Sequence, residues 1–138
     1  MKGAARPLWP GHDFAPLYAT LDRQFVQPID REIARHYPCA FIHLHSTSMF
    51  LLDAFLEIEE LRCFQINYEV HTGGPPMARM LPYFKMVQAA ERSLLVRGSF
   101  TPDELRLLLD ALAPRGLYVY AMVEQMTEVE SLRAVLGM

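Results

Sequence analysis

The run Cys39-Ala40-Phe41-Ile42-His43-Leu44-His45-Ser46, followed by Thr47-Ser48-Met49-Phe50, decides how the rest of the chain is read. It has the pattern of a short buried strand that ends on two histidines and turns at once into a helix. Ile42 and Leu44 alternate with Phe41, His43 and His45, so one face is aliphatic and the other carries two imidazoles. Strand residues i and i+2 point the same way, about 6.5–7 Å apart. Both rings therefore sit at one strand end, where they can converge on one object.

Upstream of that strand, Leu17, Leu21, Phe25, Ile29 and Ile33 recur every four residues, which predicts a helix from Leu17 to His36. Pro28 should kink or divide it, and Pro38 stops it. Residues 1–16, with prolines and glycines and no apolar period, are expected to form a loop or arm. Downstream, Ser46, Thr47 and Ser48 offer N-cap hydroxyls for a helix from about Met49 to Glu57. Cys63 to Glu69 alternates as a strand, with Phe64, Ile66 and Tyr68 on one face and Gln65, Asn67 and Glu69 on the other.

Gly73-Gly74-Pro75-Pro76 reads as a loop, followed by a helix from about Met77 to Glu91 that bends at Pro82. Ser93 to Gly98 is a third strand. Thr101-Pro102-Asp103-Glu104 opens a helix with a capping Thr, Pro at the first position and Glu at the third. That helix runs to about Ala113, and a fourth strand follows from Leu117 to Val123. Thr127 and Glu130 repeat the capping spacing before a last helix over about Glu128 to Leu136.

The order is a helix and then β-α four times, which predicts an α/β protein with a parallel sheet. Strands covered by helices on both faces read as unbroken aliphatic runs, and two strands here do not. One carries His43 and His45, another Gln65, Asn67 and Glu69; Arg97 lies near the end of the third and Glu124 just past the fourth. A polar lining on one side, near the C-terminal strand ends, predicts four consecutive β/α units of a TIM-type (β/α)8 barrel, a half barrel preceded by a helix.

Gln65, Asn67, Arg97 and Glu124 are the candidate substrate-binding residues. Taken singly, each is better explained as a polar group satisfied by its neighbours in a packed interior; the set, clustered at the strand ends, points to a site. His43 and His45 with Glu69 form a candidate metal site whose nitrogen and oxygen donors suit zinc. Alternatively, the two rings hydrogen-bond an anionic substrate or each other. His71 lies close enough in sequence to join, whereas His12 and His36 read as surface residues.

The totals narrow the classes. The 138 residues are 51% hydrophobic, one domain's worth with material for a core. A net charge of −3 argues against a nucleic-acid or anionic-membrane surface, since either wants a basic patch. No apolar run reaches the roughly 18 residues of a membrane span, and no secretory signal opens the chain. Cys39 and Cys63 follow no metal or redox spacing and read as buried thiols of a cytoplasmic protein. There is no phosphate loop and no Gly-x-Ser-x-Gly elbow. Glu57, Glu59 and Glu60 read as a solvated helix end.

From Phe25 onward the chain resembles the second half of the uroporphyrinogen decarboxylase superfamily. The resemblance rests on an ordered series: Phe25-Val26-Gln27-Pro28, His43-Leu44-His45-Ser46, Gln65-Ile66-Asn67-Tyr68-Glu69, Leu94-Leu95-Val96-Arg97-Gly98, Thr101-Pro102-Asp103-Glu104-Leu105 and Pro114-Arg115-Gly116-Leu117. It implies that residues 17–138 are the C-terminal half of a uroporphyrinogen decarboxylase-like barrel. It further implies one of two chemistries: cofactor-free decarboxylation of a porphyrinogen, or zinc-dependent methyl transfer involving a corrinoid.

In the methyltransferase branch a His-x-Cys at this strand end ligates zinc; here His43 matches the first ligand and His45 takes the place of the Cys. The expected function is accordingly a zinc-dependent methyltransferase-type member. The alternatives are a tetrapyrrole-carboxylate decarboxylase and a non-catalytic binding subunit or fragment. Implied partners are a small-molecule, tetrapyrrole or corrinoid substrate, and either a second copy or a separate chain supplying the other half barrel.

Overall fold

Why the histidine strand lies at the border of the molecule follows from how the elements around it pair. The computed structural model describes residues 15–138. Their order is α1 (Ala15–Leu21), a π-helical turn (Asp22–Val26), α2 (Gln27–Arg35), β1 (Ala40–Leu44), a 3-10 turn (Ser46–Leu51), α3 (Leu52–Leu56) and β2 (Leu61–Tyr68). A 3-10 turn (Val70–Thr72), α4 (Met77–Ala89), β3 (Ser93–Gly98), α5 (Pro102–Ala111), β4 (Leu117–Ala121) and α6 (Met126–Val135) complete it. The four strands form one parallel sheet in the order β1-β2-β3-β4, with helices alternating along the chain. The protein is α/β. The arm expected over residues 1–16 lies outside the described residues except for its last two, which open α1, and His12 lies outside them too.

All four strands show one aliphatic face, and the helices cover it. Phe64, Ile66, Leu94 and Val96 are fully buried against Leu52 of α3, Met80, Phe84 and Val87 of α4, and Leu108 of α5, with Leu132 of α6 in the same core. Each such side chain stabilises the fold by about 1.5–3 kcal/mol through area removed from water. Polar ties lock the layers together. The Tyr68 hydroxyl donates to Glu104 Oε1 at 2.5 Å, joining β2 to α5. Burial first, then that hydrogen bond, push the phenol well above its ordinary range. Glu104 also closes the expected capping box with Thr101.

The opposite face carries no helix among the described residues. Its rows follow the register: Phe41 beside Cys63 and Ser93; His43 beside Gln65, Leu95 and Tyr118; Asn67 beside Arg97 and Tyr120. Phe41 is 63% exposed, Tyr118 67% and Tyr120 52%. The expectation of a buried histidine strand therefore fails on one side. β1 is an edge strand whose Leu44 is buried while His43 faces water. The cysteines also differ from expectation. Cys39 is exposed and Cys63 half-buried, its thiol pushed up by burial and then by Cys39 nearby.

The N-terminal helix is divided ahead of Pro28, as the sequence predicts. A proline at 28 removes the N–H that would bond back to Gln24 and crowds that carbonyl, and the chain widens into the π turn just before it. The face it buries is not the predicted one. Asp22, Gln27 and Ala34 are buried, while Leu17, Leu21, Phe25, Ile29 and Ile33 point to solvent.

Polar bonds pin the inner side. Arg23 Nη2 reaches Glu57 Oε1 at 2.8 Å, Gln27 Nε2 donates to the Ala54 carbonyl at 2.8 Å, and Arg35 Nε donates to Glu60 Oε1 at 2.8 Å. Glu57, its side chain 48% exposed, and Glu59 lie at a solvated end as expected, while Glu60 is half-buried beside Arg35. The last helix is capped by Gln125 and Glu128, two residues earlier than Thr127 and Glu130. No described helix is long and apolar enough to cross a membrane.

Candidate functional site at the strand ends

β1 ends at Leu44, and the backbone of His45 is still extended before the chain turns into the 3-10 helix. Its ring lies 4.9 Å from that of His43, edge to face. β2 ends at Tyr68, and Glu69 has left the strand conformation, with φ −124° and ψ 34°. That change brings its carboxylate back across the end of β1. Glu69 Oε1 accepts a hydrogen bond from His45 Nδ1 at 2.7 Å, and Oε2 accepts from the Ser46 N–H at 3.0 Å and the Ser46 hydroxyl at 2.9 Å. Burial raises the Glu69 pKa, but the bonds from His45 and Ser46 outweigh it and hold the carboxyl below its ordinary 4.5. The carboxylate is therefore ionised near neutrality and accepts only, so His45 Nδ1 carries the proton and Nε2 is the nitrogen left for chemistry.

Ser46 was expected as a helix cap; its hydroxyl instead serves Glu69, and the 3-10 turn has no side-chain cap. Gly74 makes the arrangement possible. Its N–H donates to the Glu69 carbonyl at 2.8 Å, and a Cβ there would stand 2.7 Å from that oxygen and 2.8 Å from Ser46 Oγ. The double glycine read only as a loop from the sequence, yet it is the floor of the site.

Across the sheet the row continues. Asn67 is 8% exposed, and its buried Oδ1 has no hydrogen-bond partner among the described residues. In the register it stands beside Arg97, whose guanidinium lies over the Tyr120 ring at 5.8 Å. An orphaned buried acceptor loses the hydrogen bonds it made in water, at about 1–3 kcal/mol, and calls for a partner beyond those the described residues supply. Tyr120 was missed by the sequence reading; its i+3 spacing from Leu117 gave no signal, and only the pairing of β3 with β4 reveals it. Gln65 lies one row lower, half-buried beside His43. Glu124 is exposed past the end of β4, where its backbone N–H donates to Glu128. His71 is exposed in the turn after β2, and His36 is exposed with Nδ1 on the Glu32 carbonyl.

As arranged, the donor set does not complete a zinc site. Glu69 turns Oε1 to His45 Nδ1 and Oε2 to Ser46, so its carboxylate and the two imidazoles do not converge on one point where a catalytic zinc takes three protein ligands. No group of three His, Cys, Asp or Glu among the described residues is placed to hold a metal ion. Glu69 stands instead in the position of a carboxylate that orients a histidine. Compared with known proteins, the chain matches no family model, no curated protein and no solved structure.

Proposed function

We propose that the chain is the ligand-binding half of a β/α barrel of the uroporphyrinogen decarboxylase type, and that it binds a carboxylate-bearing small molecule of the tetrapyrrole class. The observation that carries this reading is the buried Asn67 Oδ1, without a partner among the described residues, beside Arg97 in the register and on the same sheet as the Glu69-held His45, at the C-terminal ends of parallel strands where such sheets bind ligands. Arg97 supplies a fixed positive charge for a carboxylate. Asn67 accepts a hydrogen bond from a ring N–H, and Tyr120 holds the Arg97 side chain on its face. His45, oriented by Glu69, gives or takes a proton at Nε2. The open sheet face is the inner wall of the barrel, which explains why half-polar residues stand where a doubly wound sheet would carry aliphatic ones.

A fluorescence titration of the purified chain with a porphyrin tetracarboxylate tests the reading. Saturable quenching in the wild type, weakened at least about tenfold by Arg97→Ala, is the expected result, a loss of roughly 1.4 kcal/mol of binding. No quenching by the wild type sinks the proposal.

The zinc- and corrinoid-dependent methyl transfer implied by the resemblance is the second reading, favoured by the edge-to-face pair of His43 and His45. It needs one further ligand in place of Glu69. A native mass spectrum showing one zinc per chain, lost on His43→Ala, would move the assignment to it.

A further inference from the structure

The helix pinned polar side inward presents an apolar stripe to solvent. Leu17, Leu21, Phe25, Ile29 and Ile33 lie on it and Tyr37 prolongs it just past the end of α2, with Phe25 59% and Ile29 61% exposed. Water-facing helices normally show the reverse pattern, charges outward and the aliphatic row inward. The inner side is held by the buried bond from Gln27 to the Ala54 carbonyl, flanked by the exposed pairs of Arg23 with Glu57 and Arg35 with Glu60. The stripe continues into a cleft of about 400 Å³ between α2 and the outer edge of β1, lined by Ile33, Ala34, Tyr37, Phe41 and Ile42.

We infer that this stripe is a homodimer interface, in which the α1–α2 helices of two copies cross about a two-fold axis near Phe25. Three features carry the inference. The six side chains expose roughly 600 Å² of apolar area per copy, close to the about 800 Å² per partner of a standard stable interface, and the neighbouring Val26 adds to it. The residues form a single i, i+4 ridge, and two such ridges interdigitate at a crossing of about −50°. The midpoint of the helical part of the ridge, Leu17 to Ile33, is Phe25, inside the π turn, so a two-fold axis there places each half of that part on the other half of its partner, as an isologous contact requires.

Association through the sheet edges instead would set β4 of one copy beside β1 of the next. Each helix of a right-handed crossover fills the groove between the strands it joins. The partner's α6, which packs over β4 against α5, and the α1–α2 helix would then compete for one groove. The helical contact has no such conflict. This inference is independent of the proposed ligand, since the stripe lies away from the His45 to Tyr120 row.

Native mass spectrometry and light scattering of the full chain from about 1 to about 100 µM test it. The expected result is a monomer–dimer equilibrium whose dissociation constant rises at least about 100-fold in the Phe25→Asp, Ile29→Asp variant. Both positions are exposed, so the far-UV circular dichroism of the variant should match the wild type. A Tyr118→Asp control, on the open sheet face, should dimerise as the wild type does. A chain that is monomeric at every concentration overturns the inference. So does a dimer untouched by the helix substitutions, or one dissolved by Tyr118→Asp.

Discussion

Replacing Glu69 by alanine is the sharpest probe of the site. It removes one carboxylate that accepts three hydrogen bonds, from His45 Nδ1, the Ser46 N–H and the Ser46 hydroxyl. A hydrogen bond to a charged group contributes about 1.5–3 kcal/mol when buried and nearer 1 when partly wet. With its side chain 25% exposed, Glu69 falls between these limits, so Glu69→Ala should lower stability by about 2–4 kcal/mol near neutral pH.

The sign of the pH dependence follows from the direction of the pKa shift. The folded-state pKa lies below the ordinary 4.5, so the stabilisation is fully present above that value and is lost as pH falls through the lower folded-state value. Urea unfolding of wild type and Glu69→Ala, followed by circular dichroism at fixed protein concentration, reads the difference directly. It should shrink progressively as pH falls below the ordinary value. A difference under about 0.5 kcal/mol at pH 7, or one that grows on acidification, would refute the reasoning.

Gly74→Ala should destabilise by about 1–3 kcal/mol, because the added methyl meets a backbone carbonyl at 2.7 Å and the Ser46 hydroxyl at 2.8 Å; thermal unfolding reads it, and a neutral result would show that the loop is free to move. Asn67→Leu should leave stability unchanged or raise it by up to about 1 kcal/mol, since it removes an orphaned buried acceptor, while porphyrin quenching weakens; a large loss of stability would mean that Asn67 is structural. Tyr68→Phe should cost about 1 kcal/mol and Glu104→Ala about 2–3, because Glu104 also closes the α5 capping box; equal losses in denaturant titrations would contradict the shared role of Glu104.

The α5 start was legible because its cap is local: Thr101, Pro102 and Glu104 satisfy helix-end groups within one turn. The capping spacing of Thr127 and Glu130 was equally plausible and lost to Gln125 and Glu128, whose box begins where β4 releases the chain. The site was half legible. His43 and His45 announce themselves by i, i+2 spacing, and Asn67 and Arg97 by interrupting aliphatic strands. The role of Glu69 was not, because it depends on leaving the strand and reaching a residue 24 positions earlier. Tyr120 and Gly74 enter for the same reason, through neighbours distant in sequence.

The sequence by itself determined the periods, and with them the α/β class, the number and order of strands, the division at Pro28 and the polar face of the sheet. Period and capping are properties of residues within a turn or two of one another, so one chain read in order suffices. Only the tertiary structure decided which side of each element is covered. The Leu17 to Ile33 stripe has the pattern of a core face, yet the structure turns it outward and buries Asp22, Gln27 and Ala34 on the other side, where Gln27 bonds the Ala54 carbonyl. Periodicity tells that a helix has two faces; which one meets a neighbour depends on where the neighbour's carboxylates and carbonyls stand, and that is fixed only when the strands between them have paired.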